Sequence, residues 1–375
     1  MELKITVAEL GRALSRSQGI VEKKTTMPIL SHVLLEAKKD GKLQVSATDL
    51  DLSVSSVHDA EVSKEGTVAV PAKSLYDIVR ALPENDVVLK KSGNNYLEVK
   101  SGAAEFKIVG LPAEDFPALP KFERVTFVDV PPASLLEQIE RTAFAASTDE
   151  TRYNLNGVFF EPQGAVLRLV ATDGHRLAVS EKPLAGDFAL KKGVILPRKG
   201  LTELKKLLGE AAEQPAEAQE SKLGFVENSA IFRGKGVVLA MRLIEGTFPD
   251  YKQVIPKQGE KIITAGRARF LETLRRVSLL SSDKSHAVKL ELSPGALRVV
   301  AQNPDLGEAR EDVPVEYAGD PLKIGFNARY LTDVVLQLRG ADVQVELADD
   351  LSPCVLRGPA GEDAGYTAVV MPMRI

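Results

Sequence analysis

The chain has 375 residues, 44% of them hydrophobic and 27% charged, with no tryptophan, a single cysteine and a net charge of −4. That length calls for two or three domains of ordinary size. A lone cysteine, Cys354, excludes an internal disulfide framework and a cysteine-built metal cluster, and the slightly acidic total gives no global signal for a nucleic-acid partner.

Taken in chain order, the stretch MELKITVAELGRALSRSQG lacks the basic-then-apolar layout of a leader. No apolar run reaches the ~18–20 residues that cross a bilayer, so a soluble, cytoplasmic protein is expected. An amphipathic helix is expected in VAELGRALSRSQGIVEK (7–23), followed by a strand pair around a turn in LQVSATDLDLSVSS (43–56). A second helix follows a Pro break in VAVPAKSLYDIVRAL (68–82), where Leu75, Ile78, Val79 and Leu82 keep the spacing of one buried stripe. Strands (VVLKKSGNNYLEVKSG) and a Pro-marked segment (LPAEDFPALP) close the unit.

The same order then recurs twice. The second pass reads PASLLEQIERTAFAAS, LRLVATDGHRLAVS, VILPRKGLTELKKLL, AIFRGKGVVLAMRL and IEGTFPDYKQVIP; the third reads RARFLETLRRVSLLSSD, LRVVAQNPDLGEAR, IGFNARYLTDVVLQL, VQVELADD and VVMPMRI. A repeat of about 125 residues is long enough to hold its own core, with helices packed on sheet in a two-layer α+β unit. The expected domains are 1–122, 128–255 and 262–375. Residues 209–221, GEAAEQPAEAQES, lack periodicity and read as a solvated acidic loop.

Sorting the charges by element separates them. The six helical segments are net basic, carried by residues such as Arg12, Arg16, Lys205, Lys206, Arg275 and Arg276, and the remainder of this net-acidic chain is therefore strongly acidic. If every helix buries one stripe, its charges share the other face. A basic helical side attracts phosphate by counterion release, weakly and without reading sequence. Lys/Arg-rich helix faces also occur for solubility alone.

His175, in the turn of LRLVATDGHRLAVS, is a candidate base or ligand. His32, His58 and His286 form no ligand-spaced set with it, the other two turns (ATDLDL, AQNPDL) carry no histidine, and no nucleophile elbow, phosphate loop or zinc motif occurs. A structural or binding role is favoured over catalysis by Asp173 and His175. Asp173 and Gly174 are turn chemistry; Asp49 and Asp51 resemble a metal pair, but their place in the equivalent turn favours turn formers. The apolar ending VVMPMRI is either a last core strand or a docked segment whose methionines suit an adaptable groove.

TDGHRLAV, LPRKG, FPDY and the final VMPMR, in that order and with the threefold repeat, resemble the bacterial DNA sliding clamp family, the beta subunit of DNA polymerase III. The resemblance implies a homodimeric head-to-tail ring, each chain forming half of it, helices inside and sheets outside, encircling double-stranded DNA and tethering the polymerase catalytic subunit. It implies no active site, no cofactor and no metal. An ATP-dependent clamp loader, other polymerases and repair proteins would dock glutamine- and leucine-containing peptides in one groove.

By that resemblance the groove comprises Leu155, Thr172, Gly174, His175, Arg176, Leu177, Pro249, Val254, Asn327, Tyr330, Val369, Val370, Met371, Pro372, Met373 and Arg374. Duplex DNA would be met by Lys24, Lys73, Arg80, Arg152, Tyr153, Arg198 and Lys199. The dimer interface would pair Phe106, Lys107 and Ile108 with Leu279, Leu280, Glu308 and Glu311. This chain departs from some members at Gln253, at Asn154 and Asp149, and at Ala103 and Glu105, so one groove edge is expected to differ, Asp149 to repel phosphate, and the ionic part of the interface to be weaker or rearranged. An adaptor that binds peptides without enclosing DNA is the other non-enzymatic reading.

Overall fold

A computed structural model describes every residue except 23–25, 84, 121–124, 257, 258, 260, 283, 284, 360 and 375. The first copy runs β1 (Glu2–Thr6), α1 (Val7–Ser17), β2 (His32–Lys38), β3 (Lys42–Thr48), β4 (Leu52–Asp59), β5 (Glu61–Lys64), β6 (Gly66–Pro71), α2 (Ala72–Ala81), β7 (Asp86–Lys91), β8 (Tyr96–Ser101) and β9 (Ala104–Val109). The second runs β10 (Thr126–Asp129), α3 (Pro132–Ala143), β11 (Gly157–Gln163), β12 (Val166–Thr172), β13 (Arg176–Pro183), β14 (Val194–Pro197), α4 (Arg198–Ala212), β15 (Ser221–Val226), β16 (Ser229–Gly234) and β17 (Val237–Arg242). The third runs β18 (Lys261–Gly266), α5 (Arg267–Ser278), β19 (Ala287–Ser293), β20 (Ala296–Asn303), β21 (Gly307–Pro314), β22 (Leu322–Asn327), α6 (Ala328–Gln337), β23 (Asp342–Leu347), β24 (Cys354–Arg357) and β25 (Tyr366–Val370).

The expected stripes are the buried ones: Leu75 and Val79 in α2, Leu201, Leu204 and Leu208 in α4, and Leu331, Val334 and Val335 in α6. The first helix of each copy stops earlier than its pattern suggests. Serines near the ends turn back onto the helix, Ser17 Oγ donating to Leu14 O at 2.6 Å and Ser278 Oγ to Arg275 O at 3.0 Å. Such bonds compete with continued helix, and tight turns follow, with Ala145 N on Thr142 O and Leu280 N on Val277 O. The opposite correction applies to 209–221. Helix α4 continues through Gly209–Ala212 before Pro215, because Ala and Glu are good helix formers and Pro is not.

Four antiparallel sheets form among the described residues. Two are confined to one copy each: β5-β1-β7-β8-β9 and β21-β20-β19-β22. The other two each contain eight strands and draw on two copies: β10-β15-β16-β17-β4-β3-β2-β6 and β14-β11-β12-β13-β25-β24-β23-β18. The joining rule is the same in both. The strand after the central turn of one copy pairs with the last strand of the next, β4 with β17 and β13 with β25.

Two compact units result, and both cut through the middle copy. One comprises Met1–Leu135, Ala185–Lys191 and Lys199–Leu243; the other comprises Leu136–Leu184, Lys192–Arg198 and Ile244–Ile375. The sheets explain the division, since each eight-stranded sheet lies within one unit. No helix among the described residues is long and apolar enough to cross a membrane.

Candidate functional site

In the second unit, the turn between β12 and β13 is held by its own side chains. Asp173 Oδ1 accepts from His175 N at 2.9 Å and Arg176 N at 3.0 Å. Thr172 Oγ1 donates to Arg176 O at 2.6 Å and accepts from Gly174 N at 3.0 Å. Gly174 has φ +87°, a region costly for a residue with a Cβ, and a Cβ there would meet Arg152 Nη1 at 3.2 Å. Asp173 is thereby engaged in building the turn, and the His175 ring lies exposed against Tyr330, with centroids 6.2 Å apart and planes 15° apart. Among the described residues no group of three or more His, Cys, Asp or Glu is placed to hold a metal ion.

Beside this turn lies an apolar cluster. Leu155, Val170, Leu177, Val179, Ile195, Phe248, Tyr251, Val355 and Val369 pack together, with Phe159, Ile244 and Ile255 against them. Leu177 stands opposite Val369 across the β13–β25 pair. Side chains alternate along a strand, so Val370 and its partner Arg176 face the other side of the sheet. There Arg176 donates to Asp333 Oδ2 at 2.5 Å and Phe144 O at 2.8 Å, and its guanidinium lies 4.6 Å from the Tyr330 ring centroid. Val369 and Val370 thus belong to a core strand, and only Val369 shares the face of Leu155 and Leu177. The next residues are half-buried, with Met371 N on His175 O at 2.9 Å and Met373 N on Gly325 O at 2.8 Å.

Pro249 and Val254 are exposed on the segment crossing this cluster, and Arg374 is exposed. Asn327 caps α6 through Arg329 N at 2.9 Å. Of the groove candidates, Leu155, Leu177 and Val369 share the apolar floor, Pro249 and Val254 lie on the segment crossing it, and Tyr330 packs against His175 and Arg176 beyond the floor, with Asn327 capping the same helix. The sequence reading took Pro249 from FPDY and missed Phe248 and Tyr251, which supply floor area. Their three-residue spacing, with exposed Pro249 and Asp250 between them, was the available signal.

The basic candidates separate by unit. In the first unit Lys73 is exposed and paired with Asp77 at 2.8 Å, Arg80 lies over Tyr76, and Lys199 is bonded to Asp49. In the second unit Arg152 and Tyr153 are exposed, Arg152 donating to Asp173 O at 3.4 Å, and Arg198 is exposed. Lys24 lies outside the described residues. One expectation about helix charges is corrected. Arg141 is 2% exposed, ion-paired to Glu137 and to Asp363 at 2.9 Å, and Glu203 is also buried. Arg141 faces inward because Glu362 and Asp363 close over it: Arg141 donates to Glu362 O at 3.3 Å, and Asp363 also accepts from Arg339 N and Gly340 N. Such a pair is structural and contributes nothing to a basic surface.

Both strands expected at an interface are sheet edges. β9 ends the five-stranded sheet, with Phe106 and Lys107 exposed and Ile108 buried, and Lys107 lies over Tyr96. β21 ends the four-stranded sheet, with Glu308 exposed on it. Glu311, on the same strand, accepts from Arg276, Arg269 and Thr273, and the Arg276 bond, ahead of the others, holds its carboxyl at about 2. Leu279 is 77% exposed just after α5, and Leu280 is half-buried.

A helix-and-sheet unit used three times, and joined copy to copy through strand pairing, is the three-domain α+β architecture of sliding clamps. Models of the N-terminal, central and C-terminal domains of the DNA polymerase III beta subunit match residues 1–120, 129–250 and 252–374. The beta sliding clamps of Caulobacter vibrioides and Escherichia coli are 39% and 35% identical to the chain over the full length of both partners. The crystal structure of the Caulobacter crescentus beta sliding clamp superposes with a TM-score of 0.93 at 38% identity, covering 100% of this chain and 99% of that one. The Bartonella birtlesii clamp, solved bound to griselimycin, gives 0.92 at 37% identity with 100% coverage of both. The chain belongs to the DNA polymerase III beta subunit family, the beta sliding clamps, which are non-catalytic subunits of that polymerase.

Proposed function

We propose that the chain is the processivity factor of a replicative DNA polymerase, acting in the cytoplasm as a homodimeric ring around duplex DNA. The supporting observation is the joining rule. Inside the chain, β4 pairs with β17 and β13 with β25. The third copy offers β21, the counterpart of β4 and β13, and the first offers β9, the counterpart of β17 and β25; both are edges. Pairing β21 of one chain with β9 of another applies the same rule between chains. Two such contacts close a head-to-tail dimer of six domains, bounded near 1–122, 128–255 and 262–375, with helices inside and sheets outside.

Phe106, Lys107 and Ile108 would then meet Leu279, Leu280, Glu308 and Glu311. Lys24, Lys73, Arg80, Arg152, Tyr153, Arg198 and Lys199 would meet phosphate without reading bases, so that the ring slides. The apolar floor of Leu155, Leu177 and Val369 would take the leucine anchors of peptides from the polymerase catalytic subunit, from an ATP-dependent clamp loader and from other polymerases and repair proteins. The Met371–Arg374 segment would form one wall. Tethering raises the local concentration of polymerase at the primer end.

The test is topological. Light scattering should give twice the 40.5 kDa chain mass. Protein placed on closed circular DNA by a loader should remain through gel filtration and be lost when the circle is cut. Equal retention on cut and closed DNA overturns the ring, and favours the adaptor reading if peptide binding persists.

A further inference from the structure

Residues 244–255 cross the face of the sheet that carries the apolar floor, and two exposed members of this segment, Pro249 and Val254, would form the remaining wall of the proposed groove. Both are bonded through the backbone of Tyr251. Tyr251 N donates to Pro249 O at 2.8 Å, and Val254 N donates to Tyr251 O at 3.1 Å. The ring of Tyr251 is 5% exposed and belongs to the floor cluster. Its hydroxyl leaves the apolar region for a polar continuation of the same sheet face. There it donates to Glu161 Oε2 at 2.7 Å and accepts from Arg168 Nη1 at 3.0 Å. Arg168 is in turn held by Glu161 at 3.0 Å and Glu181 at 2.5 Å.

Strand alternation explains this placement. Arg168 shares a face with Val170, Glu161 with Phe159, and Glu181 with Val179, so the apolar floor becomes a charged cluster a few residues along the same strands. Bonds to charged partners are stronger than neutral ones. Burial, and then the Glu161 bond, push the hydroxyl well above its ordinary pKa, so it stays protonated as a donor.

We infer that Tyr251, locked by Glu161 and Arg168, is a positioning residue that fixes the Pro249–Val254 wall relative to Leu177 and Val369 and thereby sets the affinity of the groove for peptide. The inference rests on the groove reading above. A wall tied only by apolar contact slides; a wall tied by a hydroxyl between an anion and a cation has one height. No atom of the latch needs to touch the peptide.

The experiment measures binding of a fluorescent peptide carrying a glutamine followed by leucines to the full-length protein, well below each variant's melting temperature. The direct control is the double substitution Met371→Ala, Met373→Ala. Tyr251→Phe, which keeps the ring and removes the hydroxyl, should weaken binding by about three- to ten-fold, the order of one lost hydrogen bond. Glu161→Ala should do the same, Glu161→Gln, which retains an acceptor, should restore most of the affinity, and Tyr251→Phe should cost nothing further in the Glu161→Ala background. Loss in the control with unchanged affinity in Tyr251→Phe overturns the latch and leaves the groove standing. Independent, additive losses from Tyr251→Phe and Glu161→Ala also overturn it. Unchanged binding in the control overturns the groove reading, and the latch with it.

Discussion

The two internal junctions are built alike and finished differently. At the first, Asp49 Oδ1 accepts from Asp51 N and Leu52 N at 3.1 and 2.7 Å, and Leu50 N bonds to Thr48 Oγ1 at 3.0 Å. Asp173 and Thr172 make the same bonds at the second. The floors diverge. Where the second junction has Val170, Leu177, Val179 and Val369, the registers place Ser46, Ser53, Ser55 and Ala240 at the first. Ser46 and Ser55 bond to each other at 3.1 Å, and the neighbouring cavity of about 190 Å³ is lined by Asp51, Glu227 and Arg242 among others. Duplication preserved the turn chemistry, while a few side chains per strand decided which junction presents an apolar floor.

The comparison can be broken most forcefully at Leu177. Leu177→Ser imports the first junction's residue into a 2% exposed position, and should cost about 3–5 kcal/mol in urea unfolding, with loss of peptide binding. Ser53→Ala should stay within about 1 kcal/mol of the parent. Similar costs at both positions would mean that the two floors do the same work.

The turns give a smaller effect of opposite sign. Leu50 has φ +82° where the other turn has Gly174 at +87°. A leucine there is strained and 59% exposed, so Leu50→Gly should stabilise by about 1 kcal/mol, and Gly174→Ala should destabilise by a similar amount. Thermal unfolding of both variants checks the pair, and matching signs would refute the equivalence of the two turns.

The smallest effect is a pH slope from β4. His58, buried, shares hydrogen bonds with Glu9 Oε2 at 3.0 Å and Ser56 Oγ at 2.9 Å, while β13 carries no histidine. Burial holds its pKa below the ordinary 6.5; the Glu9 bond opposes this, and Arg16 and Arg12 add to it. As pH falls through that ordinary value the unfolded chain takes the proton first, so this contribution is full above about 6.5 and declines below it. The melting temperature should fall more gently from pH 6.5 to 5 in His58→Gln than in the parent.

The element order and the helix stripes were legible in the sequence because period 3.6 and period 2 patterns survive in each copy. Helix ends were not, since the Ser17 and Ser278 back-bonds depend on local geometry rather than on apolar spacing. Of the site, the turn and the apolar ending were readable from TDGHRL and VMPMR, helped by family resemblance. The split between Val369 and Val370 required the register of β25 against β13. The inward turn of Arg141 required Asp363, more than two hundred residues away, which no local pattern connects to it.

In the proposed dimer, β9 of one chain would meet β21 of another, and the two edges are unlike. A contact between two different surfaces sets no limit of its own on growth, because every added chain presents a fresh copy of the edge just covered. Under the ring proposal, closure after two chains therefore depends on the internal pairings β4·β17 and β13·β25 as well as on the edges. If the ring proposal holds, a substitution at either pairing, remote from the edges themselves, would turn a closed pair of chains into an open-ended fibre.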